Sequence, residues 1–353
     1  MLGHDSSTPL AIHLDDGTIA AVEPLSPSAP VDYDVVAPGL IDWQVNGSDD
    51  LDVWTIARNG DHDAWTRLAD RQLRTGVTTW LPTLVSAALP LYASALGHLA
   101  PWLSDSLGRV PGVHLEGPFL GSAPGAHRRE AIVPVDLDWI ASLPAIVRVM
   151  TLAAENPGAT DAVTELMKKT GMRVSIGHSR PSRSEFEAAL ARGASSVTHL
   201  FNGMSGLGHR DPGLAAWALL DDRVWCGLIA DGVHVAPEMI ALAFRLAGDR
   251  ITLVSDSVAW RASGLGATII DGAPRLPDGT LAGSAITMGQ AIEVCVTAGV
   301  PWFEALRAAS SNVADFLGLD DRGHVQRGRR ADLVAFDDNR ELTAVWTAGE
   351  RVR

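Results

Sequence analysis

The sequence predicts an α/β fold, a (β/α)₈ TIM-like barrel with a small β-sandwich formed by both termini. Three observations predict it. Eight short apolar, β-branched runs alternate with longer segments of helical periodicity. Polar residues recur at the ends of these runs. The two ends of the 353-residue chain instead have a hairpin-like pattern. A doubly wound open sheet is the structural alternative. It ranks lower because eight right-handed strand–helix units close naturally into a ring.

The runs are VVAPGLIDWQV from Val35, TTWLPTL from Thr78, RVPGVHLEG from Arg109, IVRVMTLAAE from Ile146, RVSIGHS from Arg173, SVTHLFN from Ser196, VWCGLIADGVH from Val224 and ITLVSDS from Ile251. Helices are expected between them, each ending at a glycine, with Gly76 as a C-cap. DAWTRLADRQLRTG ends at Gly76, RSEFEAALARG at Gly193 and APEMIALAFRLAG at Gly248. TDAVTELMKKTG opens on Thr160 as N-cap and ends at Gly171. One further helix, PWFEALRAASSNVADFLG, follows the last run. Leu10 to Val22 reads as a hairpin around Asp16-Gly17, and the C-terminal stretch as strands with a turn at Asp337 to Arg340. Neither end buries a face alone. The economical arrangement therefore pairs 1–37 with 322–353 as the accessory sandwich and leaves 38–321 as the barrel.

Net charge is −14. That excludes nucleic acid and anionic membranes as main partners, and an anionic substrate would need a local cationic site. Cys226 and Cys295 lie in apolar segments, as expected of reduced structural thiols. No basic segment followed by an apolar run opens the chain, and no apolar run has the length of a membrane span. A cytoplasmic protein is the expectation. GSAPG and SGLG lack the Gly-Lys-Ser/Thr of a phosphate-cradling loop. The 11 Trp residues show no stacking pattern, and His4, His13, His62, His98 and His324 show no ligand spacing.

In such a barrel, catalytic groups sit at the C-terminal ends of the strands. Glu116 ends the third run, His178 the fifth, His199 the sixth and Asp256 the eighth, while His234 follows the seventh. Ionisable groups at the ends of apolar strands are costly unless they are paired or bind metal. Glu116, His178 and His199 make a two-His, one-carboxylate set with room for an open position, the donor set of a catalytic Zn²⁺ or similar divalent ion. Such an ion polarises a carbonyl and acidifies water. Asp256 is placed to take the water proton and deliver it to a leaving nitrogen. Taken singly, a strand-end His is more often a structural hydrogen-bonding group and an Asp a helix cap. Five such groups at one end of five strands weaken that reading. For substrate recognition the candidates are His127, in the loop after the third strand, and Asn202, His209 and Arg210 after the sixth. Arg210 is the first choice as an anion anchor with His234 as helper, and Arg128 and Arg129 are the less specific alternative.

In order, APGLIDWQVNG, LPTL, VHLEGPFL with GAH downstream, GHS, THLFNGM, HRDPGL, GLIADGVHV, LVSDS and LAGSAITM resemble the N-acetylglucosamine-6-phosphate deacetylases of the amidohydrolase superfamily. The tail GRRADLVAFD is similar to that superfamily's return to its accessory sandwich. The resemblance runs from about Val35 to the C-terminus. It implies hydrolysis of the substrate's acetamide to glucosamine 6-phosphate and acetate, with Glu116, His178 and His199 as metal ligands and Asp256 as catalytic acid/base. It also implies that His127 acts beside the acetamido and sugar groups, and that Asn202, Gly203, Arg210 and His234 hold the sugar phosphate. A homodimer is implied as well. The metal is expected to be zinc, with Fe, Co or Mn able to use the same ligands. Many amidohydrolases carry His-x-His at the end of the first strand, whereas this chain has Gln44-Val45-Asn46. One branch of the deacetylases shares that change, which implies a single metal. SDSVAWRASG after the eighth strand departs from the family's usual stretch and implies a differently shaped sugar pocket. Three alternatives to the main reading follow. N-acetylgalactosamine 6-phosphate is the first, a cyclic amide or N-acyl amino acid the second, and a non-catalytic binding protein on the same fold the third.

Overall fold

The structure is a computed structural model and describes residues 9–106, 108–262 and 266–353. His4 and the rest of the opening segment, and Ser263 and Gly264 of the SDSVAWRASG stretch, lie outside the described residues. Each of the eight runs overlaps one barrel strand. These are Leu40–Val45, Val77–Val85, Val113–Glu116, Val147–Leu152, Arg173–Ile176, Ser196–Val197, Trp225–Leu228 and Ile251–Leu253. They form one parallel sheet in chain order. The ring closes through a parallel bridge between Val45 and Ser257, with Asn46 N donating to Ser257 O at 2.9 Å.

The strands are apolar because both faces are covered. Ile41, Trp43, Leu81, Val149, Ile229 and Val254 fill the barrel interior, together with Val313, Phe316 and Leu317 from helix Ser311–Leu317. Trp43 packs onto Gly227, where a Cβ would come within 2.6 Å of its ring. Helix Ser311–Leu317 lies against the N-terminal ends of the strands, with Arg148 Nη2 and Arg173 Nε donating to the Leu317 and Phe316 carbonyls. The opposite, C-terminal mouth is left to the polar strand ends.

Both termini join one accessory layer. Val35–Pro38 pairs antiparallel with Leu333–Phe336, which pairs with Leu342–Thr347 and then Glu350–Arg351. The hairpin Leu10–Asp15/Thr18–Pro24 turns on Asp16-Gly17, both with positive φ, and docks through Ile19 onto Val325, Ala331 and Leu333. Thr160 is not an N-cap. Helix Ala159–Leu166 starts after Gly158, whose left-handed φ of 84° makes the cap without a side-chain bond, and it ends five residues before Gly171. The last predicted helix is two, Trp302–Ala308 and Ser311–Leu317, broken at Ser310 where the hydroxyl donates back to Leu306 O. No helix among the described residues is long and apolar enough to cross a membrane.

Candidate metal and catalytic centre

The strand ends meet as the sequence predicts. Glu116 Oε1 lies 3.0 Å from His178 Nε2 and 2.9 Å from His199 Nε2, and the two Nε2 atoms are 3.1 Å apart. All three residues are buried. His178 Nδ1 donates to Ala123 O at 3.0 Å and His199 Nδ1 to Asn202 O at 3.2 Å. A carbonyl only accepts, so both Nδ1 protons are committed outward and both Nε2 atoms face the carboxylate. Two imidazole Nε2 atoms and a carboxylate oxygen face one another at such distances only with a proton or a cation between them. Tetrahedral coordination at about 2.0–2.1 Å spaces ligand atoms about 3.3 Å apart. The observed edges are a few tenths of an ångström shorter, so this donor set fits one divalent ion.

Electrostatics agree. Burial would raise Glu116, but the imidazoles of His127, His178 and His199 facing its carboxylate hold it well below the carboxylate range. Burial and the neighbouring His127 push His178 down to about 4. His199 stays up at about 8, because the Glu116 carboxylate outweighs its burial. The proton that His199 shares with Glu116 is the one a cation displaces.

Local backbone geometry aims these groups. His178, His199 and Asp256 are three of the nine non-glycine residues with left-handed φ among the described residues, at 49°, 33° and 47°. Each strand turns sharply as it leaves the barrel, which carries the side chain over the mouth. Gly203 must be a glycine, because its φ is 58° and a Cβ would lie 2.9 Å from His178 Nδ1. Below the centre, His114 Nε2 meets Thr151 Oγ1 at 2.8 Å, and Thr198 Oγ1 links Thr151 to Ser175. Burial pushes His114 down to about 4, so it is a neutral hydrogen-bonding spacer.

Asp256 Oδ1 accepts from Gln44 Nε2 at 3.1 Å and Asn46 Nδ2 at 2.6 Å. Burial, then the Glu116 charge, pushes its carboxyl up. His127 Nε2 lies 3.9 Å from Glu116 Oε1, and its ring meets His178 edge-on at 4.4 Å. His234 is held by Asp231, whose Oδ2 accepts from His234 Nδ1 at 2.7 Å while Oδ1 accepts the Val233 and His234 backbone N–H groups. The loop after the sixth strand is more open. His209 and Arg210 are exposed there, as are Arg128 and Arg129 on the loop after the third, and none of the four contacts the buried cluster among the described residues.

The sequence reading missed Asp231, Asp42, Ser86 and Glu155. Asp231 was legible in ADGVH, three residues before a site histidine. Glu155 receives the Ser179 hydroxyl, the Arg180 N–H at 2.9 Å and the Ser122 N–H at 3.1 Å, tying down the residue after His178. Nothing local to LAAE signals this.

Asp42 Oδ1 accepts Gln44 N and Ser255 N, both at 3.2 Å, and burial raises its carboxyl to about 6. A raised folded-state pKa favours the neutral acid. That stability is complete below about pH 4 and is lost as pH rises through about 6. Asp42→Asn keeps the two-acceptor oxygen and cannot ionise. The Tm advantage of the variant over the parent therefore grows between pH 4.5 and 7.5, by the equivalent of roughly 2 kcal/mol. Thermal unfolding of both proteins across this range measures it, and a pH-independent difference contradicts it.

The amidohydrolase family model matches residues 35–352. The chain belongs to the amidohydrolase family. This family is metal-dependent, which agrees with the Glu116–His178–His199 cluster. Within it, the chain is 34% identical to the N-acetylgalactosamine-6-phosphate deacetylase of Escherichia coli O157:H7, covering 96% of this chain and 93% of that one. It is 33% identical to the N-acetylglucosamine-6-phosphate deacetylase of Vibrio furnissii, covering 96% and 89%. A mutant of the Mycobacterium smegmatis N-acetyl-D-glucosamine-6-phosphate deacetylase, solved in complex with N-acetyl-D-glucosamine-6-phosphate, superposes with a TM-score of 0.88 at 31% identity, covering 97% and 94%. The resemblance read from the ordered motifs therefore holds for the whole amidohydrolase barrel and its accessory layer.

Proposed function

We propose that this amidohydrolase converts N-acetylglucosamine 6-phosphate and water to glucosamine 6-phosphate and acetate. The observation that carries the reading is the convergence of Glu116, His178 and His199, with one donor atom each within 4.8 Å, and with the strand-end Asp256 close enough to feel the charges of Glu116 and His199. These three residues would hold one divalent ion. Bound there, the ion supplies Lewis acidity toward the acetamide carbonyl and acidifies the attacking water. Two imidazoles and a carboxylate support zinc as that ion.

The chain's own groups do the rest. Asp256 takes the water proton as the new C–O bond forms, and returns it to the nitrogen as the C–N bond breaks. The backbone N–H of Ser86 donates to His127 Nδ1 at 3.4 Å, which leaves Nε2 as the proton-bearing nitrogen, turned toward the centre to support the acyl oxygen. His234, oriented by Asp231, presents Nε2 to the sugar phosphate. Arg210 anchors that phosphate, and Asn202 and Gly203 form the adjoining wall. Exposed apolar Leu207, Ile269 and Ile270, in the segments after the sixth and eighth barrel strands, support a homodimer. The free thiols Cys226 and Cys295 support a reducing, cytoplasmic setting. The domain boundaries follow 1–37 with 322–353 for the accessory layer and 38–321 for the barrel.

The 34% identity to an N-acetylgalactosamine-6-phosphate deacetylase favours the C4 epimer as second reading. Acetate release from both epimers, each with and without the 6-phosphate, tests substrate choice. The expected order is N-acetylglucosamine 6-phosphate first, with the unphosphorylated sugars far behind. Loss of a charged contact costs about 1.5–3 kcal/mol. Arg210→Ala therefore raises KM about 10- to 150-fold on the phosphorylated sugar alone. Equal rates with and without phosphate would remove the anchor.

A further inference from the structure

We propose that Gln44 and Asn46 form a paired-amide clamp that positions Asp256, so that one carboxylate oxygen is fixed and the other is kept for proton transfer. The inference deepens the function proposed above and rests on the role given there to Asp256.

Both carboxamides donate to the same oxygen, Asp256 Oδ1, at 3.1 and 2.6 Å. Oδ2 is left without a protein donor among the described residues. Their orientation comes at a cost. Gln44 Oε1 and Asn46 Oδ1 are the buried side-chain polar atoms with no hydrogen-bond partner among the described residues. A buried acceptor without a partner forfeits the hydrogen bonds it would make in water. Two amides turn the same way against that cost because charge-assisted bonds to a carboxylate are stronger than neutral ones. The amide rotamers are therefore set by Asp256 and not by their own satisfaction.

The backbone reinforces the clamp. Asp42, Gln44 and Asn46 alternate along the end of the first strand. Asp42 Oδ1 holds the Gln44 and Ser255 N–H groups on one atom, so the amide strand and the aspartate arm share one pin. Asn46 N donates to Ser257 O, and the Val45–Ser257 bridge closes the ring at that point. The seam between the first and eighth strands is thus where Asp256 is aimed. Gln44 and Asn46 thus stand at that seam as two donors that orient a base.

A double-mutant cycle on the metal-loaded enzyme tests this. Gln44→Met and Asn46→Leu each remove one donor at nearly constant volume, so either variant suffices if the other fails to fold. Misplacing a reacting group by about 1 Å costs up to about 100-fold. Each variant is therefore expected to lower kcat about 10- to 100-fold, with KM within about twofold and one metal ion retained per chain. In an Asp256→Asn background the same substitutions should have almost no further effect, because the group they orient is already disabled. An equal loss in that background, or loss of metal in step with kcat, overturns the clamp. A parent enzyme that releases no acetate from any of the sugars would instead overturn the proposed function.

Discussion

Glu116→Gln is expected to abolish metal retention and to lower acetate release by at least about 10⁴-fold, because the ion supplies several kcal/mol of charge stabilisation and each 1.36 kcal/mol is tenfold. The substitution keeps the shape of the side chain and removes its charge. His178 Nε2 and His199 Nε2, 3.1 Å apart, are then left facing a neutral amide. In the parent the Glu116 carboxylate keeps His199 up at about 8 against its burial. Without it burial prevails, and the buried centre has no anion to balance a divalent cation. Metal analysis after gel filtration, alongside initial rates, reads both effects. A variant that keeps one ion per chain and turns over normally would remove Glu116 from the ligand set.

Asp256→Asn is expected to separate chemistry from metal binding. Acid–base catalysis by a positioned side chain contributes about 10²- to 10⁴-fold, and kcat should fall by that factor. The ion should remain, since Asp256 contributes no atom to the Glu116–His178–His199 cluster. KM should change by no more than a few fold, because the amide side chain fills the same space. Steady-state kinetics with metal content measured on the same sample checks this pattern. Parallel loss of metal and rate would make Asp256 a ligand, and an unchanged kcat would give the proton transfer to another group.

The eight barrel strands were legible because parallel strands covered on both faces must be nearly continuous apolar runs. The centre was legible for the complementary reason. His178, His199, Glu116 and Asp256 interrupt or follow those runs at their C-terminal ends, the face where barrels of this kind carry their chemistry. The helix boundaries failed where tertiary contacts outweigh local preference. Thr160 looks like a cap, but Gly158 takes the left-handed conformation and starts the helix first. The segment after Leu166 turns off early, and Lys169 Nζ bonds the Ala141 and Leu143 carbonyls. At Asn312, a bond from Nδ2 to Ile251 O draws the final helix onto the barrel and away from a continuous course.

Long-range polar pairings were hidden for a different reason. Gln44 and Asn46 stand more than 200 residues from Asp256, and in sequence they register only as the absence of two histidines. Arg210 was named for the chemistry of its guanidinium. Its exposed position on the loop after the sixth strand is compatible with an anchor that meets its phosphate from solvent.

One divalent ion held by Glu116, His178 and His199 is the proposed source of sugar-phosphate deacetylation. Its most direct test is a titration of metal-stripped enzyme with Zn²⁺ while acetate release from N-acetylglucosamine 6-phosphate is followed. The rate should rise linearly and break to a plateau at one ion per chain. Full activity in the stripped enzyme, or a break at two ions per chain, would contradict it.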